Sequence, residues 1–156
     1  MRRKDREMLD PDTIDHIIRG CDCCRLGLSD GGSPYIVPLN FGYLHEGDSR
    51  IFYFHSAHEG RKIDLIRQNP AAGFELDTNH QLHEGQTACG YSYGFASVIG
   101  TGTVSIVEEI PEKKRALQLL MEQYTHKSDW EFSEKAASAV AILKLTVEAL
   151  SCKVCE

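Results

Sequence analysis

The sequence predicts an α+β domain, mainly β, built as an antiparallel barrel-like sheet with short flanking helices. Three observations predict it. Apolar residues recur at every second position over several runs, the period of a half-buried strand. These runs follow one another across turn-forming residues and are not regularly interleaved with helices, which favours an antiparallel sheet over a doubly wound parallel one. The chain is also large and apolar enough for one sizeable core: 156 residues, 42% hydrophobic and 26% charged, with 13 Gly and 5 Pro. No repeat or long linker divides it, so residues 1–156 are expected to form one domain, with residues 1–9 as a flexible lead.

The elements follow in order. Asp10 is a good N-cap, Pro11 sits where a first helical turn tolerates proline, and Gly20 closes the segment. Between them Ile14, Ile17 and Ile18 form an i, i+3, i+4 stripe. A strand is expected over 21–29, a turn at Asp30-Gly31-Gly32-Ser33-Pro34, and a second strand over 35–44 in which Tyr35, Val37, Leu39, Phe41 and Tyr43 alternate. His45-Glu46-Gly47-Asp48 turns the chain into a third strand, Ile51 to His55, completing a meander. Residues 61–69 read as a short helix ended by Pro70, with Ile63, Leu65 and Ile66 inward. A fourth strand is expected over 72–77 and an exposed polar excursion over 78–90. The long strand over 91–107 contains Gly94, Gly100 and Gly102, which imply bends, a bulge or a close neighbour. A second amphipathic helix spans 111–124 with Leu117, Leu120, Met121 and Tyr124 as its stripe, and a last strand spans 139–149.

Charge narrows the partners. Lys plus Arg total 17 against 23 Asp plus Glu, a formal charge of −6. Nucleic acid and anionic membrane both need a concentrated basic face, so neither is expected as the partner. The longest apolar run, Ala139 to Leu143, is far short of the roughly 20 residues a spanning helix needs. The basic opening has no apolar stretch behind it to act as an export signal, so a cytoplasmic protein is expected. Its cysteines, Cys21, Cys23, Cys24, Cys89, Cys152 and Cys155, are then expected as reduced thiols. A zinc site drawn from Cys21, Cys23, Cys24, Cys152 and Cys155, with His80 and His83, is the weaker reading, because a structural site wants two knuckles and the first cluster reads as a strand. No metal is assigned.

The strongest local signal is His55-Ser56-Ala57-His58-Glu59-Gly60-Arg61-Lys62. A strand ends, a tight loop follows, and a helix opens with two cations in its first turn, where the helix dipole already places about half a positive charge. The arrangement becomes favourable when an anion sits on the helix end, where free N–H groups, a hydroxyl and two cations converge. The alternative is that both side chains extend into water. A phosphate suits such a seat, yet the chain has no G-x-x-x-x-G-K-[ST]. Gly100-Thr101-Gly102 lacks a third glycine and lies within a strand pattern, so it is no Rossmann fingerprint.

The run Tyr35-Ile36-Val37-Pro38-Leu39-Asn40-Phe41, then Ile51-Phe52-Tyr53-Phe54-His55-Ser56, then Gly60-Arg61-Lys62 and Gln68-Asn69-Pro70 resembles the FMN-binding split-barrel proteins related to pyridoxamine 5′-phosphate oxidase. Within them it is most similar to the nitroimidazole-resistance (Nim-type) flavoproteins. Met1-Arg2-Arg3-Lys4-Asp5-Arg6-Glu7-Met8 and Ala96-Ser97-Val98-Ile99-Gly100-Thr101-Gly102 also match that branch, so the resemblance covers nearly the whole chain. It implies a split β-barrel, FMN as cofactor, and a homodimer with FMN at the subunit interface. It implies further that Ser56, Arg61 and Lys62 hold the FMN phosphate and that Leu39, Asn40 and Phe41 run along the flavin ring with backbone groups at its edge. Ser97 would reach the cofactor, commonly across the dimer interface, and His55 would lie beside the flavin.

Two departures qualify what the resemblance carries over. Many relatives have Arg before the position of Ser97, where this chain has Ala96. The oxidase proper also needs C-terminal Trp and Arg residues to recognise its substrate, whereas the only Trp here is Trp130, so authentic pyridoxamine-phosphate oxidation is not expected. The expected function is an FMN-dependent oxidoreductase on a small organic substrate, nitroimidazole reduction being one candidate, with His55 as proton donor. From its position alone His55 reads equally as a strand-end histidine satisfied by hydrogen bonds. The alternative function is a flavin- or haem-binding module without its own turnover. His58 is a loop residue near the phosphate seat, His80 and His83 read as solvent-facing, and Tyr91 and Tyr93 either border the substrate pocket or pack.

Overall fold

The computed structural model describes residues 4–155; Met1, Arg2 and Arg3 of the opening motif, and Glu156, lie outside the described residues. The elements are β1 (Glu7–Met8), α1 (Pro11–Arg19), β2 (Cys24–Asp30), β3 (Ser33–Leu39), β4 (Gly42–Glu46), β5 (Ser49–Ser56), α2 (Arg61–Gln68), β6 (Ala71–His83), β7 (Ser92–Val107), α3 (Ile110–Thr125), α4 (Glu134–Ser138) and β8 (Ala141–Cys155). One-turn 3-10 helices stand at Lys4–Arg6 and Ala88–Gly90. The strands pair antiparallel in the order β3-β2-β6-β7-β8-β5-β4, with β1 added to β8.

This sheet curls on itself, so that strands apart in the pairing order touch across the interior. The ring centroids of Phe52 on β5 and Phe74 on β6 are 5.2 Å apart, although β7 and β8 stand between those strands in the pairing order. A flat sheet would separate strands three places apart by about 14 Å. At the other end of the order, β3 and β4 are the two outermost strands, yet only Asn40 and Phe41 connect them. The chain therefore crosses the gap between the sheet's edges at Asn40–Phe41, and this gap is the split in the barrel. Phe41, Phe52, Phe74, Leu76, Val98, Leu143 and Leu145 fill the interior. A second cluster, with Tyr53, Val107, Ala116, Leu119 and Ile142, seals α3 against the outside.

Several expectations are corrected. Residues 35–44 are not one strand: alternation continues across the gap because Phe41 also points inward, while β3 and β4 pair with β2 and β5 at opposite ends of the sheet. Two hairpins thus replace the simple meander. Residues 78–83 belong to β6, which resumes pairing with β7 at Gln81 after an irregularity at which Asn79 takes φ 58. The buried stripe of α3 is Lys113, Ala116, Leu119, Leu120 and Gln123 rather than Leu117, Leu120, Met121 and Tyr124. The two polar members are admitted because they satisfy carbonyls: Lys113 Nζ donates to Val140 O at 3.1 Å, and Gln123 Nε2 to Arg19 O at 3.0 Å and Cys21 O at 3.1 Å. The strand expected from residue 21 begins at Cys24, β8 runs on to Cys155, and α4 lacks an apolar stripe that would have announced it. At the start of the chain, Glu7 and Met8 are opposite Lys153 and Cys152, so this part of the expected flexible lead is held in the sheet.

α1 forms as expected, with Asp10 accepting from the Thr13 amide and Ile14, Ile17 and Ile18 buried. Its polar face is anchored too. Asp15 accepts from Tyr43 Oη at 2.7 Å and Arg50 Nε at 3.1 Å, and pairs with His45, tying α1 to the β4–β5 hairpin.

Candidate functional site

The site is set by the alternation of β5. Phe52, Phe54 and Ser56 point inward, while Tyr53 and His55 point outward. Ser56 is a buried hydroxyl at the strand's end. The loop after it reaches Gly60, whose φ of 126 is one that L side chains rarely adopt and where an added Cβ would meet only open space. α2 starts there with no side chain capping it. Ile63 and Asp64 amides bond to Gly60 O, at 2.9 and 3.2 Å, leaving the first amides of the helix pointing outward.

Both cations of the first turn have found partners in the chain. Lys62 Nζ donates to Ser56 Oγ at 3.1 Å, so a charge and a hydroxyl converge at the helix start. Arg61 donates to the Asp30 carboxylate and lies 5.0 Å above the Tyr35 ring. Ser56 and Lys62 are thus brought together, while the Arg61 side chain, in the same first turn, is drawn to the β2–β3 hairpin. His58 is turned away: its Nε2 donates to Ser138 O at 3.0 Å and ties the loop to α4. His55 is exposed, and no side-chain hydrogen bond holds its imidazole among the described residues, so it is not the satisfied strand-end histidine that its position alone allowed.

The segment across the split is placed differently from the phosphate seat. Leu39 is half-buried, Asn40 exposed and Phe41 wholly buried, with the Phe41 ring edge-on to Phe52 at 5.5 Å. The Phe41 amide donates to Tyr124 Oη at 3.1 Å, and that hydroxyl donates to Asp22 O at 2.9 Å. The Phe41 N–H is therefore taken by the fold, and Asn40 is the member of the segment left open to solvent. Ser97 faces outward from β7 between Asp77 of β6 and Lys153 of β8. Ser56 is level with Ala141 at the opposite end of β8. From Ala141 to Lys153 is on the order of 40 Å of strand contour, so Ser97 and the Ser56 seat of one chain stand far apart. Ala96, in turn, is buried on the inner face, away from Ser97.

The outer face around the sheet's centre is concave. An open cleft of about 610 Å³ lies over Gly27, Gly73 and Gly102, beside Ile36. Ile36 and Ile99 are 64% and 57% exposed. Farther along, Arg25 pairs with Glu75 at 2.8 Å and with Asp77, which also pairs with His80 at 2.8 Å. His80 stacks on Tyr93 at 6.0 Å; Tyr91 and Tyr93 are both half-exposed.

No group of His, Cys, Asp or Glu able to hold a metal is present among the described residues. The cysteines are free thiols; Cys21, Cys24 and Cys152 are buried, and burial pushes the Cys21 thiol up to about 12, away from the thiolate a metal would need. Asp30, Tyr35 and Tyr124 are the site neighbours that sequence reasoning missed. Asp30 lies 31 residues from Arg61, beyond any local spacing rule, and Tyr35 was legible only as a strand residue.

Residues 10–154 match the family described as pyridoxamine 5′-phosphate oxidase. No curated protein matches the chain. Among solved structures, a candidate 5-nitroimidazole antibiotic resistance protein from Bacteroides thetaiotaomicron is 33% identical, with a TM-score of 0.80 over 95% of this chain and 86% of its own. A flavocytochrome from Azotobacter vinelandii (20% identity, TM-score 0.79, 100% of this chain and 72% of that one) shares the fold. An FAD- and haem-binding protein from Mycobacterium smegmatis does so as well (16%, 0.79, 97% and 74%). No helix among the described residues is long and apolar enough to cross a membrane.

Proposed function

Because this chain belongs to the pyridoxamine 5′-phosphate oxidase family, we propose that it is an FMN-dependent oxidoreductase acting on a small organic molecule, with nitroimidazoles among the candidate substrates. One observation carries the reading: the uncapped start of α2, where Lys62 and the Ser56 hydroxyl meet beside outward-facing amides and Arg61 belongs to the same first turn. Two cations at the positive end of a helix repel each other and the dipole. An anion relieves both, and a terminal phosphate offers the oxygens to accept from all of these donors. The residues present therefore fit an FMN phosphate. The similarity to a candidate nitroimidazole-resistance protein supports the substrate class.

Bound FMN would supply the electron chemistry; the chain's residues seat it and handle protons. Lys62, Arg61 and Ser56 hold the phosphate. Leu39 and Asn40 would lie along the ring, Asn40 being the solvent-facing member. The exposed His55 imidazole is open to deliver a proton to a reduced substrate. Ser97, far from the seat of its own chain, serves a second copy's cofactor, which requires a homodimer.

The test is a pair of titrations and a spectrum. The purified protein is expected to be yellow and to bind FMN more tightly than riboflavin, which lacks the phosphate. Equal affinity for the two would remove the phosphate seat. A Soret band in place of the flavin spectrum would favour the haem-binding alternative, which the fold shared with flavin-and-haem proteins keeps in view.

A further inference from the structure

We propose that Asp30 is a built-in competitor for the phosphate seat: its carboxylate occupies the Arg61 guanidinium, and a flavin phosphate must displace it to complete its own contacts. The inference rests on the seat proposed above and concerns how tightly that seat binds. The two cations at the start of α2 are not equivalent. Lys62 meets a neutral hydroxyl and has no ion pair among the described residues. Arg61 meets a carboxylate, which takes the same fork of N–H donors that a phosphate would use.

The carboxylate is delivered by a hairpin. Asp30 and Ser33 face each other across β2 and β3, so the loop between them is the two residues Gly31 and Gly32. Their φ values of 57 and 92 are the positive pair that a tight right-twisting hairpin loop demands. Three residues beyond the loop, Tyr35 of the same hairpin places its ring 5.0 Å beneath the guanidinium. One hairpin thus supplies both the platform that holds Arg61 and the anion that neutralises it.

The pair is placed to exchange. The Arg61 side chain is 64% exposed and that of Asp30 29%, so solvent screens their attraction. A phosphomonoester carries about −1.5 to −2 charge against the carboxylate's single one and brings three oxygens. It wins Arg61, at an affinity lowered by the displacement and by the carboxylate that stays nearby. In the absence of cofactor the same contact quiets the repulsion between two cations and the helix dipole.

The experiment is titration of FMN and of riboflavin into the wild-type chain and into Asp30→Asn. Asp30→Asn is expected to tighten FMN about two- to fivefold, the range of an exposed ion pair, and to leave riboflavin unchanged. Asp30→Ser, which also removes the charge, is expected to do the same if Asp30→Asn proves unstable. In an Arg61→Gln background the gain should disappear. FMN binding that is unchanged or weakened by removing the charge overturns the proposal, since Asp30 would then be inert or would orient Arg61 for the phosphate. If the wild-type chain binds FMN no better than riboflavin, the seat itself is refuted, and this inference falls with it for a separately visible reason.

Discussion

A lysine amine resting on a serine hydroxyl is a weak structural contact but a strong invitation to an anion. Lys62 and Ser56 stand 3.1 Å apart at the open end of a helix with no capping side chain. Lys62→Met is expected to weaken FMN binding about 10- to 100-fold, the worth of a hydrogen bond to a charged group, with riboflavin unaffected; paired titrations check it. His55 makes a separable prediction, because its side chain is exposed and no hydrogen bond of the fold holds its imidazole among the described residues. His55→Ala should lower turnover by roughly 10²- to 10⁴-fold if it carries the proton, while FMN affinity and thermal stability stay near wild type. Unchanged turnover with saturating cofactor and substrate would dismiss the role.

At the scale of elements, stability rests on the inward faces of β4, β5 and β6. Phe52 is fully buried and touches Phe41, Tyr43 and Phe74 across the curl. Phe52→Ala is expected to cost about 3–5 kcal/mol, read as a fall in the urea midpoint. Gly42 allows α3 to lie directly on β4: a Cβ there would come within 2.6 Å of the Leu120 backbone nitrogen. Gly42→Ala should cost roughly 1–3 kcal/mol by forcing the helix away, measured in the same way. The junction of α1 with the β4–β5 hairpin is electrostatic. Burial opposes ionisation of Asp15, but hydrogen bonds from His45, Tyr43 and Arg50 outweigh it and hold the carboxyl below its ordinary range. Lys144 acts first on Glu112 in the same direction, with Tyr53 adding to it against a partial burial penalty. A folded-state pKa below the unfolded one adds stability above the unfolded pKa, lost as pH falls through the folded value. Unfolding free energy should therefore drop from about pH 4 downward, and Asp15→Asn should flatten that slope.

For the whole molecule, the proposed cofactor role of Ser97, together with its separation from Ser56, predicts a two-chain assembly. Both lie on the β7–β8–β5 ladder, near its opposite ends, so one short cofactor touches both only if two chains share it. The outer face offers a place for the second copy, with Ile36 and Ile99 exposed near a cleft floored by glycines. The expected mass in solution is twice that of the chain. Ile99→Glu is expected to yield monomers with weakened FMN binding, by light scattering and flavin titration. A monomeric wild-type protein that still binds FMN would remove Ser97 from the site.

What the sequence determined by itself is what depends on neighbours within a turn or two. The α1 caps and stripe, the Gly31-Gly32 loop, the alternation that marks strands and the doubly positive start of α2 are local chemistry, and each is legible along the chain. The tertiary structure alone decided which edges meet. It broke the run from Tyr35 to Tyr43 at Asn40, because two strands whose inward residues face one core alternate like a single strand even when they pair with different partners. It buried Lys113 and Gln123, whose polar ends find carbonyls that no pattern along α3 announces. It brought Asp30 onto Arg61 and carried Ser97 away from Ser56, since the distance between side chains in a curled sheet follows from register and closure, and those are properties of pairs of strands.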